Sequence, residues 1–63
     1  MSLFRLVISG KQKINKQAES YSETMYLTAK NKQAAEEWAT GIALSDGIYD
    51  IKIVALKKVV FKK

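Results

Sequence analysis

The first residues of the chain alternate between the two sides of an extended segment. One side is wholly apolar and the other is mixed: Phe4, Leu6 and Ile8 against Leu3, Arg5 and Val7. Because successive side chains of a strand point to opposite faces, this alternation predicts a strand over residues 3–9. Gly10 then interrupts the pattern.

Residues 10–20 are mostly polar and contain one large apolar residue, Ile14. They are typical either of a long hairpin loop or of two frayed strand ends. Alternation resumes over residues 21–29, where threonine and tyrosine suit a pleated surface. We therefore expect a second strand, antiparallel to the first.

The hydrophobic period changes after this strand. Ala35, Trp38, Ala39 and Ile42 recur at the i, i+3, i+4 and i+7 spacing of one helical face. The spacing predicts a helix over residues 32–44. Trp38, as the largest side chain of this stripe, is the expected anchor of the helix on the sheet.

Local chemistry defines the ends of this helix. Asn31 is the predicted N-cap, because its side-chain oxygen can accept a hydrogen bond from an amide of the first turn. Residues 45–47, Ser-Asp-Gly, predict the stop and the turn. Gly41 inside the helix costs about 1 kcal/mol relative to alanine, which we interpret as a close approach to the sheet.

The last segment returns to the strand period. Its two predicted faces are Tyr49, Ile51, Ile53 and Ala55 on one side, and Asp50, Lys52, Val54 and Leu56 on the other. A lysine pair at residues 57–58 interrupts the alternation before the apolar residues 59–61. Either one long strand carries a bulge there, or a short fourth strand follows.

The predicted order is β-β-α-β, in a single α+β domain that covers residues 1–63. Three to four strands form an antiparallel-type sheet, and the helix packs on one of its faces. This arrangement is the simplest one that buries the apolar sides of all the elements.

Composition limits the ways in which so short a chain can be stabilised. A domain of 63 residues buries only about 60 % of its unfolded surface, and disulfides, metals or self-association often add stability at this size. The chain has no cysteine and no histidine, which excludes disulfides and the usual zinc ligands. We expect no metal and no cofactor, and a homodimer is left open.

The sequence also predicts a cytoplasmic protein that does not enter a membrane. No apolar run reaches the roughly 18 residues of a membrane span, and the N-terminal segment carries a charge in its middle, unlike a signal peptide. A chain without cysteine fits a reducing compartment.

The formal net charge is +5, and all but one of the eleven basic residues are lysine. They form two clusters: Lys11, Lys13 and Lys16 in the predicted loop, and Lys57, Lys58, Lys62 and Lys63 at the end of the chain. Such lysines either contact the phosphates of a nucleic acid or keep exposed sheet edges from pairing with other chains. With Arg5 as the single arginine, direct reading of bases is not expected.

Groups that could carry catalysis are few. Nucleophilic catalysis usually places a base such as histidine beside the nucleophile, and the chain has no histidine. Glu36 and Glu37 are adjacent on the predicted helix, so their side chains diverge by about 100°. Asp46 and Asp50 lack the spacing of a calcium loop, and the glycines form no phosphate-binding motif. We expect no enzyme activity.

The sheet face that one helix leaves uncovered is the predicted binding site. Alternation places an apolar-mixed set there: Leu3, Arg5, Val7, Tyr26, Lys52, Val54 and Leu56. A contiguous exposed apolar area usually marks an interaction surface. The alternative is that another register, or a folded-back C-terminal strand, covers these residues.

Residues 21–54 resemble small phage-encoded β-β-α-β proteins, among them the short host RNA polymerase inhibitors of T-odd coliphages. The resemblance covers about half of the chain and rests on these features: Ala29-Lys30-Asn31 before the helix, Ala35 and Trp38 within it, and Gly47-Ile48 at the last strand. It implies a viral or mobile-element protein that inhibits or modulates a host complex. Lys52 is nearest to the basic position with which the last strand of those inhibitors grips the polymerase, and this strand has no arginine.

The leading prediction is a non-catalytic protein-binding module, with a host protein or protein complex as its partner, in the host cytoplasm if the protein is viral. The alternative is a non-specific nucleic-acid-binding protein that uses the lysine clusters and strand aromatics such as Tyr26. A third reading is a structural subunit of a larger assembly.

Overall fold

The computed structural model describes residues 1–60. Its elements in chain order are β1 (Ser2–Ile14), β2 (Gln17–Ala29), α1 (Lys32–Ser45) and β3 (Tyr49–Lys58). The three strands form one antiparallel sheet in the order β2-β1-β3. The predicted α+β fold with β-β-α-β order is therefore confirmed. Of the alternative fourth strand, Val59 and Val60 are described and are not part of a strand, and Phe61 lies outside the described residues.

Residues 10–20 are a continuation of the two strands. β1 and β2 pair without interruption from Ser2–Ala29 to Ile14–Gln17. Asn15 and Lys16 join them with φ angles of 52° and 68°, and positive φ at both central residues is the feature of a type I′ turn. β1 last pairs with β3 at Lys11, which lies opposite Ser20, so residues 12–19 form a two-stranded hairpin arm.

Both ends of α1 follow the predicted chemistry. Asn31 Oδ1 accepts a hydrogen bond from the backbone N–H of Ala34 at 2.8 Å. At the other end, Gly47 adopts φ 84°. The N–H of Ile48 donates to the carbonyl of Ala43 at 3.0 Å. This is a Schellman ending, in which glycine takes the left-handed position.

The helix contacts the sheet through alanines. Ala35, Ala39 and Ala43 are fully buried, whereas 53 % of Trp38 is exposed. The prediction that Trp38 anchors the core is therefore wrong. Alanines at i, i+4 and i+8 let the helix lie close to the large strand residues beneath it, and a tryptophan in that row would push the helix away. Trp38 lies on the flank of the helix instead.

Apolar strand residues fill the space under this alanine row. The buried members are Phe4, Leu6, Ile8, Met25, Ala29 and Ile48, and the half-buried residues packed against them include Leu27, Ile51, Ile53 and Leu56. Strand alternation predicted the shared face of Phe4, Leu6 and Ile8, and that of Ile51 and Ile53, and the whole set occupies the side of the sheet that α1 covers.

The close approach that the sequence predicts at Gly41 occurs at a different glycine. A Cβ on Gly41 would meet nothing within 4 Å, so the predicted close approach of Gly41 to the sheet is wrong. A Cβ on Gly10 would lie 2.7 Å from Ile48 Cγ2 and 2.8 Å from the carbonyl oxygen of Tyr49. The close approach in this fold is therefore at Gly10.

Two irregularities in β3 reverse its alternation. The pairing of β3 with β1 shifts between Val7 and Ile8, where Val54 is the extra residue, and again between Ser9 and Lys11. Asp50, in the second shift, has φ 53°. Each extra residue of a bulge moves the residues beyond it to the other face of the sheet.

The first bulge changes the predicted faces of β3. Leu56 lies opposite Leu6, on the side covered by α1, so its predicted place on the uncovered face is wrong. Ala55 lies opposite Val7 and takes that place. The second shift sets Tyr49 opposite Lys11, again on the uncovered side, contrary to the predicted alternation.

Candidate binding site on the free sheet face

We define the free face as the side of the sheet away from α1. Residues directly opposite in antiparallel strands point to the same side, so the pairing registers define its members. They are Leu3, Arg5, Val7, Ser9, Lys11 and Lys13 of β1, Ala18, Ser20, Ser22, Thr24, Tyr26 and Thr28 of β2, and Tyr49, Lys52, Ala55 and Lys57 of β3. Val54, the bulged residue, is 63 % exposed beside them. Six of the seven predicted partner-binding residues therefore lie on or beside this face.

Charge is segregated between the two sides of the sheet. Five cations lie on the free face: Arg5, Lys11, Lys13, Lys52 and Lys57. Glu19 and Glu23 of β2 pair with Gln12 and Ile8 and so lie on the other side. The remaining carboxylates are Glu36 and Glu37 on α1, Asp46 at its end, and Asp50.

Asp50 is the one described carboxylate at the border of the free face. Its Oδ2 is 3.9 Å from Lys11 Nζ, and both side chains are more than half exposed. An ion pair this long and this exposed contributes little stability and screens one lysine weakly. The free face is therefore basic along its length.

Two shallow grooves lie on this face. One has a volume of about 430 Å³ and is lined by Arg5, Tyr26, Lys57, Lys58, Val59 and Val60. The other, of about 320 Å³, is lined by Ser9, Gly10, Lys11, Asp50 and Lys52. Five β1 positions separate Arg5 from Gly10, which is about 17 Å at the usual rise of a strand. Each groove presents cations.

Tyr26 is the exposed aromatic residue of the first groove. It is 62 % exposed, and it lies directly opposite Arg5, whose other neighbour in the sheet is Lys57. The central strand therefore places a guanidinium between a phenol ring and an ammonium group. A flat ring beside two cations can stack on an aromatic ligand or on a planar base while the cations bind an anion.

The apolar part of the free face is smaller than predicted. Leu3 and Val7 are half-buried, Ala55 is small, and Leu56 is absent from this side. Val54 and, at the first groove, Val60 are left as its well-exposed aliphatic residues. The face is thus a basic surface with apolar spots, and a continuous hydrophobic patch does not form.

The structure separates the predicted lysine clusters. Lys11 and Lys13 lie on the free face, and Lys16 lies at the tip of the hairpin arm. Lys57 lies on the free face, whereas Lys58 pairs with Phe4 on the other side, although it reaches the rim of the first groove. Lys62 and Lys63 lie outside the described residues.

On β3, sequence reasoning did not place three residues on the free face: Tyr49, Ala55 and Lys57, which is a neighbour of Arg5. The sequence gives only a weak signal for the bulge at Val54, because the lysine pair at residues 57–58 is the only visible interruption of alternation in the last strand. Asp50 is a better indicator of the second bulge, since aspartate is one of the few residues that tolerate the left-handed region.

A further titratable contact lies on the side of the sheet covered by α1. The Tyr21 hydroxyl donates a hydrogen bond to Glu23 Oε2 at 2.6 Å. This bond, with lesser contributions from burial and nearby negative charge, raises the pKa of Tyr21 above its ordinary value. The contact is structural, because neither residue lies at the free face.

Residues 1–60 contain no group of three or more carboxylates arranged to hold a metal ion. In the same part of the chain, no helix has the length and apolar character needed to cross a membrane. Comparisons with protein-family models, with curated proteins and with solved structures found no match to this chain.

Proposed function

We propose that this protein is a non-catalytic binding module whose free face binds single-stranded nucleic acid without reading its sequence. The observation that carries this function is the segregation of charge: five cations share the free face, and the carboxylates lie on the other side or at its border. A basic surface that follows a phosphate backbone, together with an aromatic ring for stacking, is the common arrangement for this ligand.

Tyr26 and the cations have separable roles in this function. A base stacks on the exposed ring, while Arg5 and Lys57 contact the phosphates on either side. Stacking on one aromatic residue contributes about 1–3 kcal/mol per base. The serine and threonine hydroxyls of β2 offer further hydrogen bonds, and they read no base uniquely.

The hairpin arm extends the basic surface. Lys13 lies on the free face of the arm and Lys16 at its tip. Lys16 has φ 68°, a conformation that costs a non-glycine residue about 1–2 kcal/mol. Retaining a lysine where glycine would be more stable is consistent with a use for the charge at the arm tip.

The test is a fluorescence anisotropy titration of a labelled oligo-dT with increasing salt. If all five free-face cations contact phosphates, the slope of log K against log salt is about −0.7 × 5, or roughly −3.5. The Lys57→Gln variant should lose about one fifth of that slope. Lys32→Gln removes the same charge from the start of α1, away from the free face, and serves as the matched control.

The role of the ring has its own pair of variants. Tyr26→Ala should weaken binding by roughly 5- to 150-fold, the equivalent of about 1–3 kcal/mol. Tyr26→Phe keeps the stacking surface and should bind almost as the wild type does. No binding of the oligonucleotide at about 20 mM salt would refute the function, and so would equal losses in Lys57→Gln and Lys32→Gln.

A protein partner is the second candidate, and one observation favours it. The larger groove combines Arg5 and Tyr26 with Val59 and Val60, and arginine and tyrosine in a partly apolar pocket are typical anchors of protein interfaces. The partner would present an acidic surface, such as one belonging to a host complex that this module inhibits. In nuclease-treated lysate, an affinity-tagged chain should then capture one partner protein, and Val54→Glu should abolish that capture. The same substitution should leave any binding of oligo-dT unchanged.

A further inference from the structure

The two outer edges of the sheet differ. β3 carries two bulges and three lysines, at positions 52, 57 and 58, which are the usual protections against pairing with another chain. β2 is 13 residues long, has no lysine, arginine or proline, and pairs with β1 without a register shift. Within the described residues, its outer edge has no strand partner. Its only charges are Glu19 and Glu23, so β2 is the less protected of the two edges.

The hairpin arm would gain stability from a strand paired with the outer edge of β2. Beyond the pair of Lys11 with Tyr49 no residue of the arm, 12–19, lies beside β3, so two strands alone hold the arm. An isolated two-stranded hairpin is marginally stable in water, and three strands are usually needed. A strand added along β2 would supply the third strand of the arm.

Among the registers centred on residues 21–23, one is favoured for a second copy of β2. Antiparallel pairing about a twofold axis sets one residue opposite itself. Centring on Glu23 would set two carboxylates face to face, and centring on Tyr21 would set Glu19 opposite Glu23, both unfavourable. Centring on Ser22 sets Tyr21 of each copy opposite Glu23 of the other, and these two side chains already form a 2.6 Å hydrogen bond within one chain.

We propose that the protein forms a twofold dimer in which β2 pairs antiparallel with β2 of a second copy, centred on Ser22. Residues 17–27 of the two copies then face each other in a continuous six-stranded sheet. The twofold axis of such a pair is perpendicular to the sheet, so the two free faces lie on the same side. This dimer stands independently of the proposed ligand.

The absence of cysteine from the chain makes a direct test possible. Ser22→Cys sets two thiols near the twofold axis, and mild oxidation should cross-link it rapidly into dimers. Ser45→Cys places an exposed thiol at the end of α1 and is the matched control. Equal cross-linking rates of the two variants would refute pairing through β2.

The second measurement is molar mass by sedimentation equilibrium. At about 100 μM, wild-type protein should have twice the 7.1 kDa chain mass. Counting from the turn-closing pair Ile14–Gln17, the N–H of Ser22 points to the outer edge. Ser22→Pro should therefore give monomers with an unchanged helical circular dichroism signal. A monomeric wild type overturns the dimer, and a Ser22→Pro dimer with native helical signal overturns β2 as its interface.

Discussion

The substitution Gly10→Ala should destabilise the fold by about 1–3 kcal/mol, the usual cost of forcing an extra methyl group into a packed site. The added Cβ would lie 2.7 Å from Ile48 Cγ2 and 2.8 Å from the backbone oxygen of Tyr49. A backbone oxygen cannot rotate away, and Ile48 is 3 % exposed within the core. Relief requires β3 to move from β1. For 63 residues, total stability is about 3–9 kcal/mol, so this loss is a large fraction.

Gly41→Ala is the matched control, because it adds the same methyl group to the same chain. Nothing lies within 4 Å of the new Cβ, and the position is exposed within α1. Alanine is better than glycine in a helix by about 1 kcal/mol, so this variant should be more stable than the wild type. Both substitutions restrict the unfolded chain similarly. The difference between them therefore isolates the contact at Gly10.

Urea unfolding followed by far-ultraviolet circular dichroism measures both effects. The two variants should move the midpoint in opposite directions while the slope with urea is unchanged, which identifies a change in stability alone. In thermal unfolding, 1 kcal/mol corresponds to about 4–8 °C for a domain of this size. Gly10→Ala with the stability of the wild type or higher would refute the close approach of β1 and β3.

Three other substitutions test separate parts of the fold. Asn31→Ala removes the N-cap bond of α1 and should cost about 1 kcal/mol in urea unfolding, and no loss would argue against the cap. Leu56→Glu should destabilise the fold by about 2 kcal/mol or more, because it directs a charge into the covered side of the sheet. Val54→Glu should change the stability by no more than about 0.5 kcal/mol. A larger loss in Val54→Glu than in Leu56→Glu would contradict the bulge. The raised pKa of Tyr21 in the folded state contributes stability that is present below the unfolded pKa and lost as pH rises through the folded pKa. Tyr21→Phe should accordingly lose less stability than the wild type above about pH 10, and parallel pH profiles would contradict the bond to Glu23.

The sequence predicts the elements of this fold well because each is defined by local signals. Asn31 and Gly47 occupy the helix ends that their chemistry favours, and alternation in β1 continues without a bulge through the whole strand. The hairpin turn is harder to predict, since Asn-Lys lacks the glycine that usually marks a type I′ turn. β1 and β2 continue through residues 10–20 because they pair with each other, and this pairing is not visible in the residue pattern of either segment.

The packing of α1 could not be derived from periodicity alone. The predicted apolar stripe of the helix contains Trp38, whereas the row that is buried consists of Ala35, Ala39 and Ala43. The two rows overlap and differ in direction by only a fraction of a helical turn. Hydrophobicity favours the tryptophan, but the distance between helix and sheet favours the alanines. That distance is a property of the assembled core, because the large side chains of β1 already fill the space beneath the helix.

The bulges in β3 determine which of its residues face each side of the sheet, and deletion of Val54 tests this directly. Ile53 lies opposite Ile8, and Ala55 lies opposite Val7, so removing the extra residue between them should preserve both pairs. The deletion should therefore fold, with stability within about 0.5 kcal/mol of wild type, the usual range of a surface change. Deletion of Val7 is the matched control. β1 is the central strand and has no extra residue in its pairing with β2, so the loss reverses the faces of everything on one side of the gap. Val7 deletion should abolish cooperative unfolding in urea. If both deletions unfold the protein, Val54 is a ladder residue. The position of Lys57 on the free face would then need another explanation than a one-residue bulge.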